Sequence, residues 1–252
     1  MKNRINKVRR LLQEKHLDSL VVLTDFNRRY LSGFTGTSGG LLITQDQARL
    51  ITDFRYIDQA TEQAPFFEIV KQESDLYSSV ITQIQELNLQ NIGFEGHLVS
   101  YDAFLKLNQG RHDLISIGDE IEKIRRVKDA DEIKLIQKAA DIVDQAYEHI
   151  LTVAKPGMTG KEIDSIARQV ITDAGYGDNF GHSLGHGIGL DVHEQPALSQ
   201  KSDTVLEINH CVTIEPGIYV NGLGGVRIED DILITENGGQ CFTNCRKDLI
   251  IL

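Results

Sequence analysis

Residues 180–196 read FGHSLGHGIGLDVHEQP and bring three histidines, at 182, 186 and 193, into one glycine-rich stretch. Two carboxylates follow at what read as strand ends, Glu215 in TIEPGIY and Glu229 in GGVRIEDDILIT. Imidazole and carboxylate together suit Mn, Co, Fe or Zn. Hydrolysis at such a site needs a water acidified towards neutrality and donors for a developing oxyanion. Strand alternation places Arg227 and Glu229 on one face of VRIEDD, with Val226 and Ile228 on the other, so Arg227 is expected to orient the Glu229 carboxylate. Pro216 stiffens the backbone just after Glu215. The glycines at 185, 187 and 189 read as clearing space where substrate or metal approaches the backbone. From spacing alone, blander readings stay open: loop histidines satisfied at the surface, Glu229-Asp230-Asp231 as a solvated acidic patch, and Glu215 as a turn residue.

Outward from this stretch, the chain after residue 176 reads as strands, at 210–220, 225–235 and 247–252. Before it, apolar positions at Ile133, Ile136, Ala140, Val143, Tyr147 and Ile150 predict one long helix. KPGMTGKE (155–162) ends that helix, and Thr159 with Glu162 forms a capping box for the next, whose stripe is Ile163, Ile166, Ala167 and Val170. The first 118 residues alternate helix and strand. Helices are expected at 3–15, 74–87 and 100–108, the last capped by Ser100, with strands at 18–25 and 91–96 and a hairpin over 38–53. The charge-dense stretch 118–132 reads as a linker. GFTGTSGG (33–40) lacks the Gly-Lys-Ser/Thr ending of a phosphate loop and reads as a turn into a strand.

At 252 residues, with 40% hydrophobic and 25% charged residues, the chain has ample length for a buried core. A formal charge of −11 argues against nucleic acid as partner. No apolar run reaches the roughly 18–20 residues of a membrane helix, and the basic N-terminus reads as an amphipathic helix rather than a signal peptide. Three cysteines, at 211, 241 and 245, fit a reducing compartment, so a cytoplasmic protein is expected. Cys241 and Cys245 lack a second pair with zinc-site spacing and read as separate strand-end thiols.

HSLGHGIGLDVHEQP, TIEPGIY and GGVRIEDDILIT, in that order and spacing, closely resemble the Xaa-Pro dipeptidases and aminopeptidases of the pita-bread metallopeptidase family. NRRYLSGFTGTSG and ITDFRYIDQA are similar to the creatinase-type N-terminal domain, and KDADEIKLIQKAADIVDQAY to the linker and first catalytic helix. The implied fold is α/β: a creatinase-like α/β domain over 1–120, then a truncated pita-bread (α+β) catalytic domain over 121–252. The resemblance makes His186, Glu215 and Glu229 metal ligands, Glu215 also a proton shuttle. It places His182 and His193 on the substrate carbonyl and the tetrahedral intermediate, with Arg227 supporting the site. The implied hydrolase is a divalent-metal enzyme, with manganese expected and cobalt or zinc as alternatives, acting on proline-containing peptides at the bond before proline. Asp53, Arg55 and Tyr56 read as structural or interfacial.

The family also supplies two aspartates, in a stretch resembling Asp-x-Gly followed by Ser-Asp-x-Thr-Arg, and no such stretch occurs here; Asp178 and Asp191 do not match it. The first opening helix runs straight into a turn of the second-half type, so most of the first half of the duplicated catalytic domain is absent, with the joint between Tyr147 and Pro156. Three protein ligands can hold one metal loosely but cannot cage two. The uncovered face and edge predict a homo-oligomer. A metal-dependent Xaa-Pro peptidase therefore stands beside a shortened, inactive descendant that keeps a binding or assembly role. A metal-free, creatinase-like amidinohydrolase ranks below both.

Overall fold

The structure, a computed structural model, describes residues 1–220, 224–247 and 250. It divides into two compact units, Met1–Lys128 and Asp129–Leu252. In the first, α1 (Lys2–Glu14) precedes β1 (Ser19–Val22), α2 (Asp25–Ser32), the hairpin β2 (Gly40–Thr44) and β3 (Ala48–Thr52), α3 (Ile57–Gln63) and β4 (Glu68–Lys71). Then come α4 (Leu76–Glu86), β5 (Asn91–Phe94), α5 (Tyr101–Leu107), β6 (Asp113–Ser116) and α6 (Glu120–Arg126). The six strands form one sheet in the order β4-β3-β2-β1-β5-β6. Burial alternates along β1: Leu20 and Val22 join the α1 layer with Val8 and Leu12, while Val21 faces Val80 and Ile84 of α4. Strands buried on both faces read as unbroken apolar runs, as SLVV and GLLIT do.

The glycine-rich stretch 33–40 is the expected turn into β2. Its geometry is the inverse of a phosphate cradle, because it presents carbonyls. The buried Arg28 guanidinium donates to Gly39 O at 2.8 Å and to Gly36 O at 2.6 Å. Asp53 caps the short 3-10 turn Phe54–Tyr56 by accepting from the Arg55 amide, and the Arg55 side chain donates to both its oxygens, at 3.0 and 2.9 Å. The stretch 118–132 is not a plain linker: its middle is α6, whose Ile121 packs fully buried against the α1 layer.

The second unit opens with α7 (Ala130–Val153) and α8 (Gly160–Asp173). The Thr159/Glu162 capping box forms as expected, and Ile163, Ala167 and Ile171 of α8 are wholly buried. Each such isoleucine contributes about 1.5–3 kcal/mol. On α7 the expected stripe holds only in the C-terminal half. Val143, Tyr147 and Ile150 are buried, whereas Ile133 and Ile136 stay 53% and 40% exposed because no described residue of this unit covers the first turns. Leu135, Ile136 and Ile142 instead edge a shallow apolar groove shared with Tyr176, Ile218 and Val220.

The strands are β7 (Gly185–Gly187), β8 (Glu194–Leu198), β9 (Cys211–Ile214), β10 (Gly217–Val220), β11 (Gly224–Arg227), β12 (Asp230–Thr235) and β13 (Gly238–Cys241). Each of the two long strands expected at 210–220 and 225–235 is broken in two, at Glu215-Pro216 and at Ile228-Glu229. The halves go to different sheets: β13-β12-β9-β7-β8 has five strands, and β10-β11 stands as a pair. The expected strand 247–252 lies mostly outside the described residues, at 248–249 and 251–252. Cys241 ends β13 with its thiol 2.9 Å from the Tyr147 hydroxyl, and all three cysteines are free. Among the described residues no helix is long and apolar enough to cross a membrane.

Candidate active site

The two strand breaks lie opposite each other. β9 pairs with β12 up to Ile214↔Asp230, and β10 pairs with β11 from Gly217↔Arg227. Glu215 and Glu229 therefore leave facing breaks, and Arg227 links them: Nη1 donates to Glu215 Oε2 at 2.8 Å and Nη2 to Glu229 Oε2 at 2.6 Å. Burial works against the Arg227 charge, but the carboxylates of Glu215 and Glu229 outweigh it and hold the guanidinium above its ordinary range. Glu215 is 7% exposed. Its other oxygen, Oε1, accepts from the Thr213 hydroxyl at 3.2 Å and lies 3.4 Å from His186 Nε2.

His186 comes from β7, whose amide at 186 donates to Thr213 Oγ1 at 3.1 Å. Its Nδ1–H donates to Gly187 O at 3.0 Å. That bond orients the ring and leaves Nε2 as the nitrogen that faces Glu215. The His193 ring, exposed at the rim, lies 4.4 Å from that of His186. These groups line a cleft of about 430 Å³, together with Asp191 and Asp231 and beneath the exposed side chains of Leu190 and Val192. The acidic run 229–231 alternates as a strand should. Glu229 and Asp231 enter the cleft, whereas Asp230 turns away and is 6% exposed, bound by Thr243 and by Lys247 at 2.6 Å.

His182 takes a different place from the other two histidines and does not line the cleft. It packs edge-on against Phe180 and Tyr219, and its Nδ1–H donates to Ser183 O at 2.8 Å. Its Nε2 is buried with no hydrogen-bond partner among the described residues. A Cβ on Gly217 would stand 2.9 Å from that nitrogen. Asp178 sits in a 3-10 turn outside the cleft lining. Gly185 and Gly187 make room for the chain itself, whereas Gly189 lines the cleft and a Cβ there would meet only the Glu194 side chain. A Cβ at Gly185 would fall 1.9 Å from Thr213 O, and one at Gly187 2.2 Å from Gln195 O. Thr213 and Asp231 are additions from the structure; a threonine two residues before Glu215 on the same strand face was the available signal for the first.

Two donors on one ion at about 2.0–2.2 Å stand roughly 3 Å apart, close to the 3.4 Å between His186 Nε2 and Glu215 Oε1. Arg227 occupies the Oε2 atoms and leaves Oε1 of Glu215 on the His186 side. Among the described residues, however, no group of three or more His, Cys, Asp or Glu side chains is gathered closely enough to hold a metal ion. Glu229 is tied in through Arg227 and not directly. The residues present fit one loosely held ion completed by water, and do not fit a pair.

The profile of metallopeptidase family M24 matches residues 95–236, and that of the creatinase/prolidase N-terminal domain matches residues 4–127. The uncharacterized peptidase YqhT of Bacillus subtilis (strain 168) is 31% identical over 352 residues, spanning 99% of this chain and 100% of that protein. A Xaa-Pro dipeptidase of Pyrococcus furiosus is 29% identical over 359 residues, again spanning 99% of this chain and all of its own. Both alignments are much longer than the 252 residues available here, so this chain is shorter than these relatives while matching them from end to end. Among solved structures, a Xaa-Pro dipeptidase from Bacillus anthracis superposes with a TM-score of 0.57 at 31% identity, covering 100% of this chain and 99% of that one. With both profiles matched in chain order, and with the carboxylates of Glu215 and Glu229 meeting at one cleft beside His186, this chain belongs to metallopeptidase family M24 and carries a creatinase/prolidase N-terminal domain.

Proposed function

We propose that the chain is a metal-dependent hydrolase of Xaa-Pro peptides in which His186 and Glu215 would hold one ion, with Arg227 fixing the Glu215 and Glu229 carboxylates beside it. The observation that carries this reading is the 3.4 Å approach of His186 Nε2 to a Glu215 carboxylate that Arg227 and Thr213 hold in place. A bound divalent ion supplies an acidified water at neutral pH. Glu215, nearly buried and oriented from both sides, accepts the proton of the attacking water and delivers it to the prolyl nitrogen as the bond breaks. His193, on the rim, donates to the carbonyl oxygen as charge builds there, and His182 acts from behind through its packing on Phe180, Tyr219 and Gly217. Leu190 and Val192 offer an apolar wall to the proline ring. Glu215, Glu229 and Asp231 against a single guanidinium suit the ammonium end of a short peptide. The division at 1–120 and 121–252, with most of the first catalytic half missing, belongs to the same proposal.

A second reading has its own observation. With no third donor gathered among the described residues, and Arg227 already paired with both carboxylates, a shortened member that binds peptide without cleaving it is the competing outcome. Manganese content after dialysis, paired with Ala-Pro and Leu-Pro hydrolysis in added Mn2+, separates the two. Stoichiometric metal with turnover supports the hydrolase, whereas peptide binding without metal or turnover supports the second reading.

A further inference from the structure

We propose that Asp164 and Arg168, one turn apart on α8, are positioning residues that set the path of the loop carrying His182 and delivering His186; the inference rests on the reading of His186 and Glu215 as the working pair. Arg168 donates from Nη1 to Phe180 O at 2.7 Å and from Nη2 to His182 O at 2.6 Å. Its Nε binds Asp164 Oδ2 at 2.6 Å, and Asp164 Oδ1 accepts the Leu184 N–H at 3.1 Å. The backbone groups held are those of residues 180, 182 and 184. That spacing of two is the one a neighbouring strand would engage along one edge of an extended segment. The ion pair thus takes the place of a strand where the loop has none.

The consequence reaches the cleft in one step. Leu184, held through its N–H by Asp164, uses its own carbonyl to accept the Glu215 N–H at 2.7 Å, and β7 begins at the next residue. The Arg168 guanidinium also lies 4.3 Å over the Phe180 ring, whose edge meets His182 at 4.9 Å. Asp164 is wholly buried. A pair serving the helix alone would need only the Nε bond. Here both terminal nitrogens of the guanidinium donate to the histidine loop, Nη2 also reaching Asp164 Oδ1 at 3.4 Å, and that carboxylate oxygen accepts from the loop in turn.

Removing one partner would strand a buried charge and cost the fold, so the informative variant is the double change Asp164→Leu with Arg168→Met, which replaces a buried pair by apolar groups of similar size. In the full chain it should melt within a few degrees of wild type. The Leu184 amide should exchange at least ~10-fold faster. The ring-nitrogen resonances of His182 and His186, read at one fixed pH, should move. Mn2+ binding should weaken by about 10-fold, the effect typical of losing a group that orients a ligand. A folded double variant whose imidazole resonances and Mn2+ affinity match wild type overturns the proposal. Should the double variant not fold, Arg168→Lys decides: it keeps the charge on Asp164 but cannot span both carbonyls, and imidazole resonances identical to wild type would overturn the proposal equally. If wild type binds no Mn2+ and cleaves no Xaa-Pro peptide, the hydrolase reading fails, while the imidazole resonances still test the positioning role.

Discussion

Replacing Arg227 with methionine removes the guanidinium that bridges Glu215 and Glu229 while keeping much of the side-chain volume. Both carboxylates bind the same guanidinium, at 2.8 and 2.6 Å, which places them roughly 5 Å apart. At an effective dielectric between 20 and 80, two unit charges at that distance repel by about 1–3 kcal/mol. The Arg227 and Glu229 side chains are 41% and 42% exposed, so screening favours the lower half, about 1–2 kcal/mol. Melting of the second unit should fall by about 3–8 °C, on the usual scaling for a domain of this size. The assay is differential scanning calorimetry of four proteins: wild type, Arg227→Met, Glu229→Gln and the double variant. If repulsion is the cause, Glu229→Gln restores most of the loss in the Arg227→Met background, a coupling of about 1 kcal/mol or more. Mn2+ at 100 times its dissociation constant should add about 2.7 kcal/mol to any form that binds it. An Arg227→Met protein as stable as wild type, or one that Glu229→Gln fails to rescue, would refute the view that this guanidinium holds the two carboxylates together.

Thr213→Val deletes the hydroxyl that accepts from the His186 amide and donates to Glu215, so a loss of about 1–3 kcal/mol in urea unfolding is expected, together with weaker Mn2+ binding. Gly185→Ala puts a methyl where Thr213 O now lies at 1.9 Å; it should destabilise by about 1–3 kcal/mol or more, and an unchanged melting temperature would show that β7 can move aside. The Arg55 side chain, by hydrogen bonding, holds the Asp53 carboxyl down at about 2 from its ordinary 3.8. A carboxyl depressed on folding adds stability that is full above its unfolded value and lost as pH falls towards its folded one. Asp53→Asn should therefore flatten the decline in urea midpoint between pH 4 and 2, and identical slopes would count against the ion pair. The exposed Ile133, Leu135 and Ile136 predict self-association, visible by sedimentation at micromolar concentration; a clean monomer would contradict it.

The elements legible in the sequence are those whose signals are local. The β2-β3 hairpin, the Ser100 cap and the Thr159/Glu162 box are each set by a few adjacent residues and form where expected. Two elements without such a signal are polar by necessity. β4 and β6 are edge strands, EIVK and DLIS, with no buried residue, and exist because β3 and β5 offer them a ladder. α6 hides in a run of charges because only Ile121 has to face inward. Asp164 and Arg168 carry no local signal beyond a spacing of four, and only the fold turns them towards the histidine loop. The first turns of α7 mislead in the opposite sense, since an apolar stripe states what a helix can bury and not what is there to cover it.

The candidate site was visible as a list of residues and invisible as a geometry, because register decides it. Val212 and Ile214 of β9 face the core with Ile232 and Ile234 of β12, and that demand fixes the pairing Ile214↔Asp230. A slip of β12 by one residue would turn Ile232 and Ile234 to the opposite face. It would also exchange Asp230, now held by Lys247 and Thr243 on the far side, with Glu229 and Asp231 in the cleft. Arg227 would then face one carboxylate instead of two. The meeting of Glu215, Arg227 and Glu229 is thus enforced by four buried aliphatic side chains that touch no ligand, and the stability of that small core and the integrity of the cleft are one property.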